Sequence, residues 1–100
     1  MVILTKDCWQ THILPYHPIL DDEEQSVELA LIDPHRLMRD AEYTNRECFY
    51  RHRALSNFPH LYLKVVVHYR RVGTSGRLMG SVVTAFPTTR FKAGEQQLWP

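Results

Sequence analysis

Two regimes of hydrophobic spacing divide the chain. Up to about residue 42, apolar residues recur at helical intervals in short runs; from residue 46 they follow the two-residue alternation and β-branched runs of strands. In residues 7–14, Trp9 and Ile13 lie four apart, while Pro15 and Pro18 bar any long helix. The acidic run Asp21-Asp22-Glu23-Glu24 suits the first turn of a helix, after which Val27, Ala30 and Leu31 share one face. A strand over residues 26–32 is the competing reading. Asp33-Pro34 interrupts either one and offers an N-cap followed by proline at the first helical position, which predicts a further short helix to about residue 42. Three strands are then expected, over residues 46–54, 60–71 and 77–86. A turn around Ser56-Asn57 joins the first two and Gly73-Thr74-Ser75-Gly76 joins the last two, with Pro87 ending the third. The tail, residues 88–100, carries Trp99, which is expected to pack back on the core. Helical segments followed by consecutive strands predict a single α+β domain over residues 1–100.

Composition adds little to the fold and more to the function. A content of 44% hydrophobic and 23% charged residues is that of an ordinary globular domain. No apolar run is long enough for a membrane helix, and Met1-Val2-Ile3-Leu4 lacks the flanks of a signal peptide, so the expectation is a cytoplasmic protein without membrane association. Cys8 and Cys48 are expected as two buried thiols rather than a disulfide. Six scattered histidines and no Cys-x-x-Cys argue against a metal site, and no cofactor is implied.

The net charge of +1 hides an asymmetry. Residues 48–100 hold eight of the twelve basic residues and one of the eleven acidic ones, Glu95. A cationic half points to a polyanionic partner, or to two halves that neutralise each other in the fold.

Strand alternation places Tyr62, Lys64, Val66, His68 and Arg70 on one face and Leu61, Leu63, Val65, Val67 and Tyr69 on the core face. With Arg71 opposite Arg77, Lys64 would lie opposite Thr84. A simple pairing of the preceding strand would bring Arg51, which shares a face with Arg53, close to Lys64. Arg51, Lys64 and Thr84 would then converge on one phosphate. Metal-free RNA cleavage needs such cations for the charge growing on phosphorus, and a base and an acid, roles that suit His12 and His17. Tyr50 is a candidate for stacking on a base, and Arg53, His68, Arg70, Arg71 and Lys92 are candidates for backbone contacts. Ordinary charges on a solvated sheet face, and lone structural histidines, account for the same residues.

Five segments together resemble a phage- and prokaryote-associated branch of the barnase/EndoU/colicin/RelE-like nucleases. They are Trp9-x-x-His12-Ile13 with His17-Pro18, Cys48-Phe49-Tyr50-Arg51, Leu63-Lys64-Val65-Val66-Val67, Val82-Val83-Thr84-Ala85-Phe86-Pro87, and Lys92-Ala93-Gly94-Glu95 with Trp99. The resemblance implies N-terminal helices packed on one face of an antiparallel sheet of about four strands, with an RNA groove on the other. It implies a metal-independent endoribonuclease forming a 2′,3′-cyclic phosphate; the expectation is the toxin of a toxin–antitoxin pair, with tRNA and mRNA as the candidate substrates and a cognate antitoxin protein as partner. The active-site candidates are again His12, His17, Arg51, Lys64 and Thr84. Phe86 stands where the pattern leads one to expect tyrosine, and the basic hairpin at Arg70-Arg71 is longer than usual. A non-catalytic RNA-binding or partner-binding module is the alternative, and a metal-dependent hydrolase a third reading.

Overall fold

The computed structural model describes residues 2–74 and 76–99. Strand β1 (Val2–Ile3) leads into α1 (Lys6–Cys8), capped by the Thr5 hydroxyl, which accepts from the Cys8 amide. This helix continues as a π-helical turn over Trp9–Ile13, where the Leu14 amide donates to the Trp9 carbonyl five residues back. A 3₁₀ turn (Pro18–Leu20) and α2 (Glu24–Ile32) follow. The helix reading of residues 21–32 therefore holds, with Val27 and Ala30 on the buried stripe.

The segment after Pro34 is strand β2 (Arg36–Arg39), not the expected helix. The His35 amide donates to the Tyr50 carbonyl, which draws the chain onto β3 (Arg46–His52). Leu37 packs into the main core and Met38 into a second cluster across the sheet, as a strand covered on both faces requires. The Asp40 carboxylate then accepts from the Glu42 and Tyr43 amides, building the turn in place of a further helical turn. These bonds outweigh desolvation, which acts first to raise its pKa, and leave Asp40 below the usual carboxylate range.

Strands β4 (Tyr62–Val72), β5 (Arg77–Thr88) and β6 (Gln96–Trp99) complete the sheet. Its order is β1-β5-β4-β3-β2-β6, antiparallel except that β1 runs parallel to β5. The fold class α+β holds, but the sheet has six strands, not about four. Two short edge strands, β1 and β6, and the recruited β2 join the three strands read from the alternation. Pro87 does not end β5. It pairs with Leu63 where β1 no longer covers the far side, so a missing N–H is tolerated there. Nor does Trp99 return to the core: it is half exposed on the outer edge beside Leu37.

The helices cover one face, where Trp9, Ile13, Leu20, Val27 and Ala30 meet Phe49, Leu63, Val65, Val67, Val82 and Ala85. On the other face Met38, Cys48, Tyr50 and Val66 form a smaller cluster with Tyr62, Val83, Phe86 and Phe91. A β-bulge shifts the β4–β5 register, so that Val67 faces Val82 but Val66 faces Thr84. The Cys8 thiol donates to the Val82 carbonyl at 3.1 Å, meeting an acceptor that the irregular ladder exposes. Both cysteines are free and buried. Burial, followed by Asp7, raises the Cys8 pKa; burial is likewise the first cause at Cys48, pushed up to about 12.

No helix among the described residues is long and apolar enough to cross a membrane.

Candidate functional site

The face away from the helices is built on the middle of β4. Tyr50 and Lys64 are cross-strand partners on β3 and β4, and Phe86 of β5 lies opposite Lys64 on its other side. Lys64 is only 5% exposed despite its charge. Its ammonium lies 5.4 Å from the centre of the Tyr50 ring and 5.5 Å from that of Phe86, and its counter-ion is Glu95, Nζ to Oε2, at 2.7 Å. The Glu95 side chain is fully buried. Gly94, at φ 91°, reverses the chain just before it, a conformation that a side chain would strain, and so turns Glu95 inward beneath residues 91–94.

Three donors reach the Glu95 carboxylate: Lys64 Nζ, the Tyr50 hydroxyl at 2.6 Å and the Lys92 backbone amide at 3.3 Å. Burial alone would raise the Glu95 pKa, but these hydrogen bonds and the Lys64 charge hold it below the usual value. Burial first, and then the Glu95 carboxylate, push the Tyr50 phenol up. Lys64 is thus neutralised within the fold.

Above this pair, Lys64, Phe86, Thr88, Arg90, Phe91 and Lys92 line an open groove. Its rim is cationic and its floor aromatic. Phe91 packs edge-on against Tyr50 at 4.7 Å and at a tilt against Tyr62 at 5.2 Å, and Arg36 lies over Phe91 at 5.5 Å. Among the described residues Lys92 forms an ion pair with Glu42 at 3.7 Å, and both side chains are more than half exposed. Such a pair contributes little and leaves the ammonium free for another anion.

The residues expected to converge do not do so. Arg51 pairs with Leu63, not Lys64, and therefore points to the helix face. There its guanidinium donates to the Asp33 carbonyl and forms an ion pair with the Asp33 carboxylate at 3.0 Å. A cation at the C-terminal end of α2 is well placed for the helix dipole. Arg51→Ala is accordingly expected to lower stability by about 1 kcal/mol in urea titration. Unaltered stability would reverse that assignment.

The expected hairpin register is also corrected. Val72, not Arg71, pairs with Arg77, and the bulge adds a second step, so Lys64 meets Phe86 while Thr84 faces Val66. Thr84 stays on the groove face but two pairs along the ladder from Lys64.

His17 does reach the site, its ring stacked on Phe86 with centroids 5.4 Å apart. His12 is exposed on the π-helical turn. Tyr50 is fully buried, and its hydroxyl is used by Glu95, so it presents no face to a base. Arg53 is exposed with φ 60°, where the chain leaves β3. His68 accepts a hydrogen bond from Arg46 at 3.4 Å, and Arg71 donates to the Gly76 carbonyl in the hairpin. Arg70 is exposed next to it, and both arginines line a separate depression with Tyr69 and Leu78. Of the residues singled out from sequence, Lys64 and Lys92 line this groove, Thr84 lies on the same face of the sheet, and His17 stacks on the Phe86 ring.

Sequence reasoning passed over Glu95, Phe91, Arg90 and Arg36 as site residues. One signal was present: a lysine inside the apolar run Leu63-Lys64-Val65-Val66-Val67 needs a buried anion, and Glu95 is the only acidic residue after position 47. No set of three or more His, Cys, Asp or Glu side chains among the described residues is arranged to hold a metal ion. Comparison with protein-family profiles, with curated proteins and with solved structures finds no match for this chain.

Proposed function

We propose that the chain binds single-stranded RNA along the groove between Phe86 and Phe91. The observation that carries this reading is the pairing of half-buried rings with exposed cations on one open face, Phe86 and Phe91 beside Arg90 and Lys92. Bases stack on aromatic faces without regard to sequence, at about 1–3 kcal/mol per base, while cations follow the phosphates. The surplus of positive charge after residue 47 favours the same ligand. A partner protein that silences the site, an antitoxin in the toxin reading, would cover this groove with acidic side chains.

Titration of a fluorescent RNA oligonucleotide across a salt series tests the proposal. Affinity is expected to fall steeply with salt. Arg90→Ala and Lys92→Ala should each reduce the log–log slope by about one, and Phe91→Ala should weaken binding about 5- to 150-fold. Salt-insensitive binding, or three variants indistinguishable from the parent, would refute it.

Metal-independent cleavage is the second reading, favoured by one observation: an imidazole, His17, stacks on Phe86, one wall of the groove. Incubation with RNA in excess chelator should then yield cyclic-phosphate ends that His17→Ala abolishes. Intact RNA leaves the binding function alone.

A further inference from the structure

Glu95 occupies its position in an unusual way for a surface-loop carboxylate. A short turn carries it, yet its side chain is fully buried and its two oxygens take an ammonium, a phenol hydroxyl and a backbone amide. Those donors converge as they would on a bound oxyanion. Lys64, which supplies the charge, also lines the open groove, so the pocket and the groove share a wall.

We propose that Lys64, the Tyr50 hydroxyl and the Lys92 amide form an oxyanion pocket at the base of the groove, which Glu95 fills from within. The ligand class is a phosphate-type oxyanion, either free phosphate or a phosphodiester oxygen of a bound strand. While Glu95 is in place it competes with that ligand and holds the affinity of the groove down. Removing it leaves a buried ammonium and hydroxyl without an acceptor, a state so unfavourable that an anion from solution is drawn in. The polymer part of this inference rests on the RNA-binding reading; the single-anion part does not.

The test compares the intact chain with Glu95→Ala in inorganic phosphate and in chloride of matched ionic strength. Phosphate should raise the Tm of E95A by at least about 5 °C over chloride. It should move the parent chain by much less, and the double variant K64M/E95A should lose the response. An E95A protein with equal Tm in the two salts overturns the proposal, as does one that phosphate fails to fold or a response that persists in K64M/E95A.

RNA titration separates the two readings. With Lys64 released, E95A should bind RNA on the order of tenfold more tightly, with the salt slope steeper by about one. A phosphate response without RNA binding by either protein would retain the pocket and remove the RNA function. RNA binding without a phosphate response would do the reverse.

Discussion

Replacing Lys64 by methionine is expected to destabilise the protein by about 3–5 kcal/mol at neutral pH, a Tm loss of at least about 12 °C for a domain of this size. Methionine fills much of the space of the lysine stem but leaves the buried Glu95 carboxylate without a cation. Acidification should then act in opposite directions on the two proteins. In the parent chain Glu95 has a folded pKa below its ordinary value of 4.5. Its contribution is complete above that value and is lost as pH falls through the folded pKa. In Lys64→Met burial dominates, the folded pKa rises above the unfolded one, and proton uptake by Glu95 favours the folded state as pH falls. Urea titrations of both proteins at pH 7 and pH 4 read the difference directly. The gap between them should narrow at pH 4; an equal gap at both values would mean that Glu95 is not the group left unpaired.

Trp9→Ala should cost about 3–5 kcal/mol, because the N-terminal helical segment is held to the sheet largely by Trp9 and Ile13. Trp9 is 6% exposed and Ile13 is fully buried among β-strand side chains. The indole Nε1 is buried with no hydrogen-bond partner among the described residues, an arrangement that carries its own desolvation cost. Trp9→Phe retains most of the apolar volume and removes that orphaned donor. It should therefore change stability by less than about 1 kcal/mol. Thermal unfolding of the two variants decides the matter. A phenylalanine variant as damaged as the alanine one would show that the Nε1 group has a partner.

Elements with one dominant period were legible from sequence. Val27 and Ala30 marked α2, and Val65-Val66-Val67 marked the central strand with its core face correctly assigned, whereas residues 7–14 stayed ambiguous, with only Trp9 and Ile13 four apart to suggest the helical turn. Residues 35–42 were misread because Asp33-Pro34 is as good a helix start as it is a strand approach, and the deciding bond, His35 to Tyr50, is long-range. The site failed for a related reason. The convergence of Arg51 and Lys64 depended on a register, and in a sheet an error of one residue exchanges faces. Arg51 opposite Leu63 is that error made visible. Lys64 itself was found, but it was read as a phosphate ligand or a solvated charge, whereas its place in an apolar run marked a buried charge that needed Glu95.

The irregularity at Val83 has a genetic corollary. Strict alternation onward from Val82 would send Phe86 toward the helices and Ala85 outward; the extra residue resets the phase, so that Ala85 enters the core and Phe86 stands over Lys64. Loss of the Val83 codon or of the Thr84 codon would remove the bulge, straighten the strand and preserve every facing beyond it, since either leaves one groove-facing residue between Val82 and Ala85. Loss of Ala85 could keep Phe86 over Lys64 only by turning the Thr84 hydroxyl into the core position that Ala85 holds. Among neighbouring single-codon deletions in β5, those two at the bulge are the changes this sheet is built to absorb.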